Sequence, residues 1–200
     1  MRVRRPRVLA GLLVAAMLTA ALTGILFFAR RVAGLPFVPF DTFDWLTRVL
    51  PGRLIAFGIG TMVSVIRLLN LGPISSTAKA AEQAMAIAIM FIAGVVAGLI
   101  VFLILPGRGR THGLTVGLAF GLVLGLPAML ISLHASETAS VGPGAGAAWV
   151  LGAFLVWGAV LGRAAQRLIA IEQTTDAVAD AAVERIDRRR FLVELAAPRR

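Results

Sequence analysis

Cysteine is absent from the 200 residues. That excludes disulfides, thiolate zinc sites, cysteine-ligated iron–sulfur clusters and a cysteine nucleophile within this stretch. Lysine is almost absent too: of 20 cationic residues only Lys79 is not arginine. Acidic residues number 10, and none falls at the centre of a long apolar run. Buried charge inside a membrane segment is where transporters usually carry their function, so a small-solute transporter is disfavoured. His112 and His134 are the only histidines. Their separation of 22 residues corresponds to about 33 Å along a helix, too far to ligate one haem. Ser132, Ser136 and Ser140 flank His134 without a nucleophile elbow, and the glycine-rich 141–146 stretch lacks the Lys-Ser/Thr of a phosphate loop. The sequence therefore offers no catalytic, cofactor-binding or metal-ligating residue.

What it does contain is apolar length. Hydrophobic residues make up 58% of the chain and the mean hydropathy is +0.89, which places it among membrane proteins. A helix needs ~20 apolar residues to cross the hydrocarbon core. Four segments qualify: 8–29, 80–105, 113–133 and 145–162. The first follows Arg2, Arg4, Arg5 and Arg7, yet its apolar run is longer than the ~7–15 residues of a secretory signal and no small-x-small cleavage site follows. It reads as a retained span.

The net charge of +10 fits topology and anionic headgroups in such a chain, rather than nucleic acid. With the N-terminus in the cytoplasm, fourteen cations lie on the cytoplasmic face, including Arg108, Arg110, Arg163 and Arg167. Six lie outside: Arg30, Arg31, Arg48, Arg53, Arg67 and Lys79. Both termini of the stretch are then cytoplasmic. Between Arg53 and Arg67 the uncharged apolar run is 13 residues, too short to span. Arg53, Gly60, Ser64 and Arg67 recur at helical spacing, which predicts an interfacial amphipathic helix over 53–71. A fifth span with Arg67 snorkelling is the rival. The prolines at 36 and 39 predict an extended turn over 35–41, with Phe37, Phe40, Phe43 and Trp45 at headgroup depth.

Beyond Arg163 the composition turns polar. Glu172, Asp176, Asp180 and Glu184 form an acidic stripe on a helix running to about Asp187. The expected fold is all-α: a four-helix transmembrane domain over 1–171, then a cytoplasmic helical tail over 172–200. Gly113, Gly117, Gly121 and Gly125 repeat every fourth residue, with further glycine pairs at Gly94 and Gly98 and at Gly158 and Gly162. Small residues let helix backbones approach where lipid supplies no hydrophobic drive. Packing inside the bundle and packing against other subunits both fit. Pro127 predicts a kink.

The tail ends in Asp187-Arg188-Arg189-Arg190-Phe191-Leu192-Val193. Arg188, Arg189, Phe191 and Leu192 match the twin-arginine export pattern Ser/Thr-Arg-Arg-x-Phe-Leu-Lys, with departures at Asp187 and Val193. A basic helix end, with Arg188 paired to Glu184 and touching anionic headgroups, fits the same residues. The layout resembles the membrane-anchored molybdopterin-dependent oxidoreductases of the sulfite oxidase family. There a bundle of spans precedes an arginine pair and an exported molybdenum-cofactor domain. The matching pieces are the proline-aromatic segment 35–45, the Lys79-Ala-Ala-Glu-Gln-Ala-Met stretch with Gly94 and Gly98, and residues 188–192. The resemblance implies an anchor in the bacterial inner membrane and a role for the twin-arginine translocase. It also implies molybdopterin in a downstream or partner domain, and a redox partner nearby. A stand-alone accessory subunit packing through its glycine faces is the alternative.

Overall fold

The computed structural model describes residues 5–68, 74–105, 112–135 and 142–196; over 175–196 it describes the backbone path alone. Six helices account for these residues, with no strand among them: α1 (Arg5–Ala33), α2 (Val38–Val49), α3 (Gly52–Leu68), α4 (Ile74–Ile104), α5 (Gly113–Ala135) and α6 (Pro143–Ala196). Four segments are long and apolar enough to cross a bilayer: Val8–Ala33, Lys79–Ile104, Gly113–His134 and Pro143–Ile171. The chain is an all-α, multi-pass membrane protein. α3 has 17 residues and is not among those four segments. Residues 69–71, 106–111, 136–141 and 197–200, which carry Arg108, Arg110, the Ser136–Ser140 segment and the last two arginines, lie outside the described residues.

Helix ends follow from local chemistry. Arg30 and Arg31 occupy the last turn of α1, where cations meet the negative end of the helix dipole. Gly34 then adopts φ 62° and its N–H donates to the Arg30 carbonyl at 3.1 Å, a left-handed cap that suits glycine. The proline pair predicts an extended stretch through residue 41, but α2 already begins at Val38. Phe37, just before it, is extended, at φ −112° and ψ 92°. Pro39 falls in the first turn, where a missing N–H breaks no intrahelical bond. The Phe37 carbonyl accepts from the N–H groups of Phe40 and Asp41. α6 starts at Pro143 and runs 54 residues, past the expected end near Asp187. α5 is helical straight through Pro127.

The spans alternate in direction. Ala15 of α1 meets Gly98 of α4 while Thr19 meets Gly94; Gly113 of α5 meets Gly162 of α6 while Gly121 meets Phe154. Both pairs are therefore antiparallel, and α1 begins at the same end of the bundle at which the α6 span finishes. The most extensive contact joins α5 to α6, the next joins α1 to α4, and α1 also lies on α6. α4 and α5, successive in the chain, barely touch. α2 bridges them instead, packing on both. The result is a ring of five helices, α4–α1–α6–α5–α2, with α2 filling the end where α1 and α5 finish. Leu26, Val101, Val150 and Leu161 are fully buried in its core, with Phe37 and Val38 inserted from the α2 side.

Seams of small residues set the spacing. A Cβ placed on Gly158 would strike the Gly117 carbonyl and lie 3.0 Å from the Gly121 Cα, and one on Gly162 would strike the Gly113 carbonyl. Gly125 faces the Phe154 side chain. On the other pair, Gly94 receives the Thr19 side chain and Gly98 the Ala15 methyl. Lipid competes for apolar surface as well as protein does, so this association depends on dispersion over closely fitted backbones. Gly152, on the same helix as Gly158, has nothing within 4 Å of an added Cβ. Gly158→Ala is expected to destabilise the bundle by ~1–3 kcal/mol through overpacking. Gly152→Ala should gain about 0.5–1 kcal/mol from helix propensity. Unfolding in detergent, followed by helical circular dichroism, checks the opposite signs.

Candidate functional site

The most organised polar feature lies where α2 meets the ends of α1 and α5. Phe37 is 1% exposed and packs edge-on against Phe27, at 5.7 Å between centroids, and against Phe40, at 4.7 Å. The Arg30 guanidinium stands 4.9 Å from the Phe40 ring centroid and 6.0 Å from that of Phe37, within cation–π range. One residue on, Asp41 Oδ2 accepts a hydrogen bond from Ser132 Oγ at 2.8 Å. Ser132 is 1% exposed. The bond therefore ties the first turn of α2 to the final turns of α5 across 91 residues of sequence.

Burial pushes the Asp41 carboxyl above the ordinary carboxylate range, opposed by the Ser132 hydrogen bond and by Arg30 and reinforced by Asp44. Asp44 itself is exposed and pairs with Arg48 at 2.7 Å, a surface contact of small energetic weight. Phe37 is a core residue, whereas Trp45 is 42% exposed.

Beneath α2 lies a cavity of about 160 Å³ among the helices of the ring. Thr19 and Leu22 of α1, Pro39 and Phe43 of α2, Gly94 of α4 and Trp157 of α6 are among its walls. No charged side chain lines it. The Thr19 hydroxyl donates to the Ala15 carbonyl at 2.8 Å. A second, wider hollow of about 460 Å³ runs between α1 and α6 along Leu18, Ile25, Gly152 and Val160.

The residues singled out in the sequence fall in separate places. Gly113, Gly117, Gly121 and Gly125 face α6, where Gly158 and Gly162 oppose them, while Gly94 and Gly98 face α1. His112 and His134 bracket α5. The His112 carbonyl accepts from Val116 N–H and Thr115 Oγ1, and His134 Nδ1 donates to the Leu130 carbonyl at 2.8 Å. Lys79 and Glu82 pair at 3.6 Å on exposed side chains. Arg188, Arg189, Phe191 and Leu192 lie on the helical backbone of α6; their side chains are outside the described residues. No group of three or more His, Cys, Asp or Glu side chains lies together among the described residues.

The Asp41–Ser132 pair was not legible as a site. Asp41 sits in a proline-aromatic segment and Ser132 at the end of an apolar run, so no local spacing links them. No protein-family model, no curated protein and no solved structure matches this chain. Chemically the cluster holds rather than transforms: a carboxylate, a hydroxyl and an arginine over aromatic rings fasten α2 to the bundle.

Removing the bond with Ser132→Ala should cost about 1–3 kcal/mol. A folded-state pKa raised above the unfolded value contributes stability that is complete below the unfolded pKa and is lost as pH rises through the folded one. Docking of α2 should accordingly loosen as pH climbs out of the ordinary carboxylate range through the raised Asp41 value. Hydrogen exchange across α2 checks this: the pH dependence should flatten in Asp41→Asn and persist in Asp44→Asn.

Proposed function

We propose that this stretch is a membrane anchor for an extracytoplasmic molybdopterin-dependent oxidoreductase, acting by position and supplying no catalytic group of its own. The observation that carries the anchor reading is the continuity of α6. Its apolar span ends at Ile171, yet the helix continues unbroken to Ala196. Those further residues extend about 38 Å at 1.5 Å per residue, longer than the hydrocarbon core is thick. A continuous helix transmits the position of the bundle to whatever follows residues 188–192. The arginine distribution supports a cytoplasmic location for α6's far end and for the start of α1. The bacterial inner membrane, the molybdopterin cargo and the twin-arginine hand-off are supported by the motif resemblance alone. α3, with Leu54, Phe57 and Leu68 exposed, suits a helix lying in the headgroup layer beside α4.

A stand-alone accessory subunit that packs through its glycine faces is the second reading. Against it, the eight glycines that would form those faces are already occupied within the chain. Gly24, Gly58, Gly60 and Gly152 are open, but they do not make one continuous seam.

A folded reporter fused after Arg200 separates the two readings. The anchor reading predicts that the reporter reaches the far side of the membrane only with a working twin-arginine translocase. Replacing Arg188 and Arg189 by lysine should reduce export about tenfold or more, as expected where bidentate arginine recognition is lost. A reporter that stays cytoplasmic in every strain would overturn the hand-off and favour the accessory subunit.

A further inference from the structure

We infer that the cavity beneath α2 is a binding site for the acyl chain of a bilayer lipid, entering sideways through the gap between α4 and α5. Four observations converge on that occupant. The cavity lies between α4 and α5, which barely meet, and α2 closes only one end of the gap between them. Its rim is exposed to the surroundings of the bundle, since Ile89 is 38% exposed and Ala93 and Pro127 are exposed as well. At this height the surroundings are hydrocarbon, because Ile89 and Ala93 lie well within the Lys79–Ile104 span and Pro127 within Gly113–His134. The walls are almost wholly apolar, and a buried water needs two to four polar partners. The polar groups on the walls are few: the Thr19 hydroxyl already donates to the Ala15 carbonyl, and the Thr42 hydroxyl and the unpartnered Trp157 indole N–H are the others.

Size agrees as well. The volume of about 160 Å³ is close to that of an apolar protein cavity of ~150 Å³ that stays dry and takes a benzene-sized guest. The end of an acyl chain is narrower than a benzene ring and is present at very high local concentration. α2 forms the roof, with Pro39, Thr42, Phe43 and Leu46 above the guest, and the Asp41–Ser132 bond holds that roof against α5. The hollow between α1 and α6 is a separate surface. It shares Leu22 and Trp157 with the cavity, so a test must distinguish the two.

Trp157 provides the readout. With Trp45 and Trp149 replaced by phenylalanine, Trp157 is the sole indole, and the full chain is placed in nanodiscs of phosphatidylcholine brominated along its acyl chains. Bromine quenches an indole only at short range. A lipid chain in the cavity, whose wall includes Trp157, should therefore lower Trp157 emission about twofold relative to unbrominated nanodiscs. Ala93→Phe, which fills the cavity mouth from an exposed position, should restore most of the emission. Ile89→Phe serves as a second blocking variant should the first fail to fold. Gly152→Leu, which fills the α1–α6 hollow where an added side chain has open space, should leave the quenching unchanged. Absence of quenching in the parent would overturn the inference, as would quenching that survives both rim variants or disappears with Gly152→Leu.

Discussion

The close approach of α5 to α6 governs this molecule. A chain immersed in lipid gains nothing by hiding apolar side chains from apolar solvent, so its helices must earn association through fit. Gly113, Gly117 and Gly121 opposite Gly158 and Gly162 bring two backbones together until a single added carbon would strike a carbonyl. That contact fixes α6, and α6 carries α1 on its other side. α1 in turn seats α4 through Ala15 and Thr19 against Gly98 and Gly94. Each tight seam is antiparallel, so the order of helices around the ring follows from the positions of the small residues.

The same arrangement leaves a fault. α4 and α5 are neighbours in sequence but stand apart in space, and α2 enters the opening from the end where α1 finishes. Its entry depends on short-range chemistry: a left-handed Gly34 turns the chain, Phe37 fills the core, and Pro39 fits a first helical turn. Asp41 then crosses to Ser132. A carboxyl held partly out of water is costly when ionised, so the hold on α2 weakens as Asp41 ionises. The cavity beneath it is the consequence of bridging a five-helix ring with a helix of 12 residues.

Much of this was readable from residue order. Apolar length located the four spans, three of them to within four residues at each end and the last one nine residues short of Ile171, because the hydrocarbon core imposes a length that irregular backbone cannot satisfy. The four-residue glycine period marked the tight face of α5. Its partner was ambiguous, because glycine pairs on two other spans fit equally well and only three-dimensional fit assigns Gly94 and Gly98 to α1. The segment 35–41 was misjudged, since proline disfavours helix before it and is welcome in a first turn, and sequence does not say which applies. Asp41 with Ser132 was invisible for a different reason: the two meet only after α2 has docked. The reach of α6 was underestimated because the acidic stripe and arginine run look like a boundary in composition yet leave the helix uninterrupted.

The ring requires an even number of crossings, with α1 beginning and the α6 span finishing on one face and α2 on the other. Because the chain has no cysteine of its own, single cysteines at positions 5, 47 and 174 can be tested without background. An impermeant thiol reagent applied to sealed, oriented vesicles should modify positions 5 and 174 together, and should modify position 47 only when applied from the opposite side. Modification of positions 5 and 174 from opposite sides would mean an odd number of crossings and would contradict the ring.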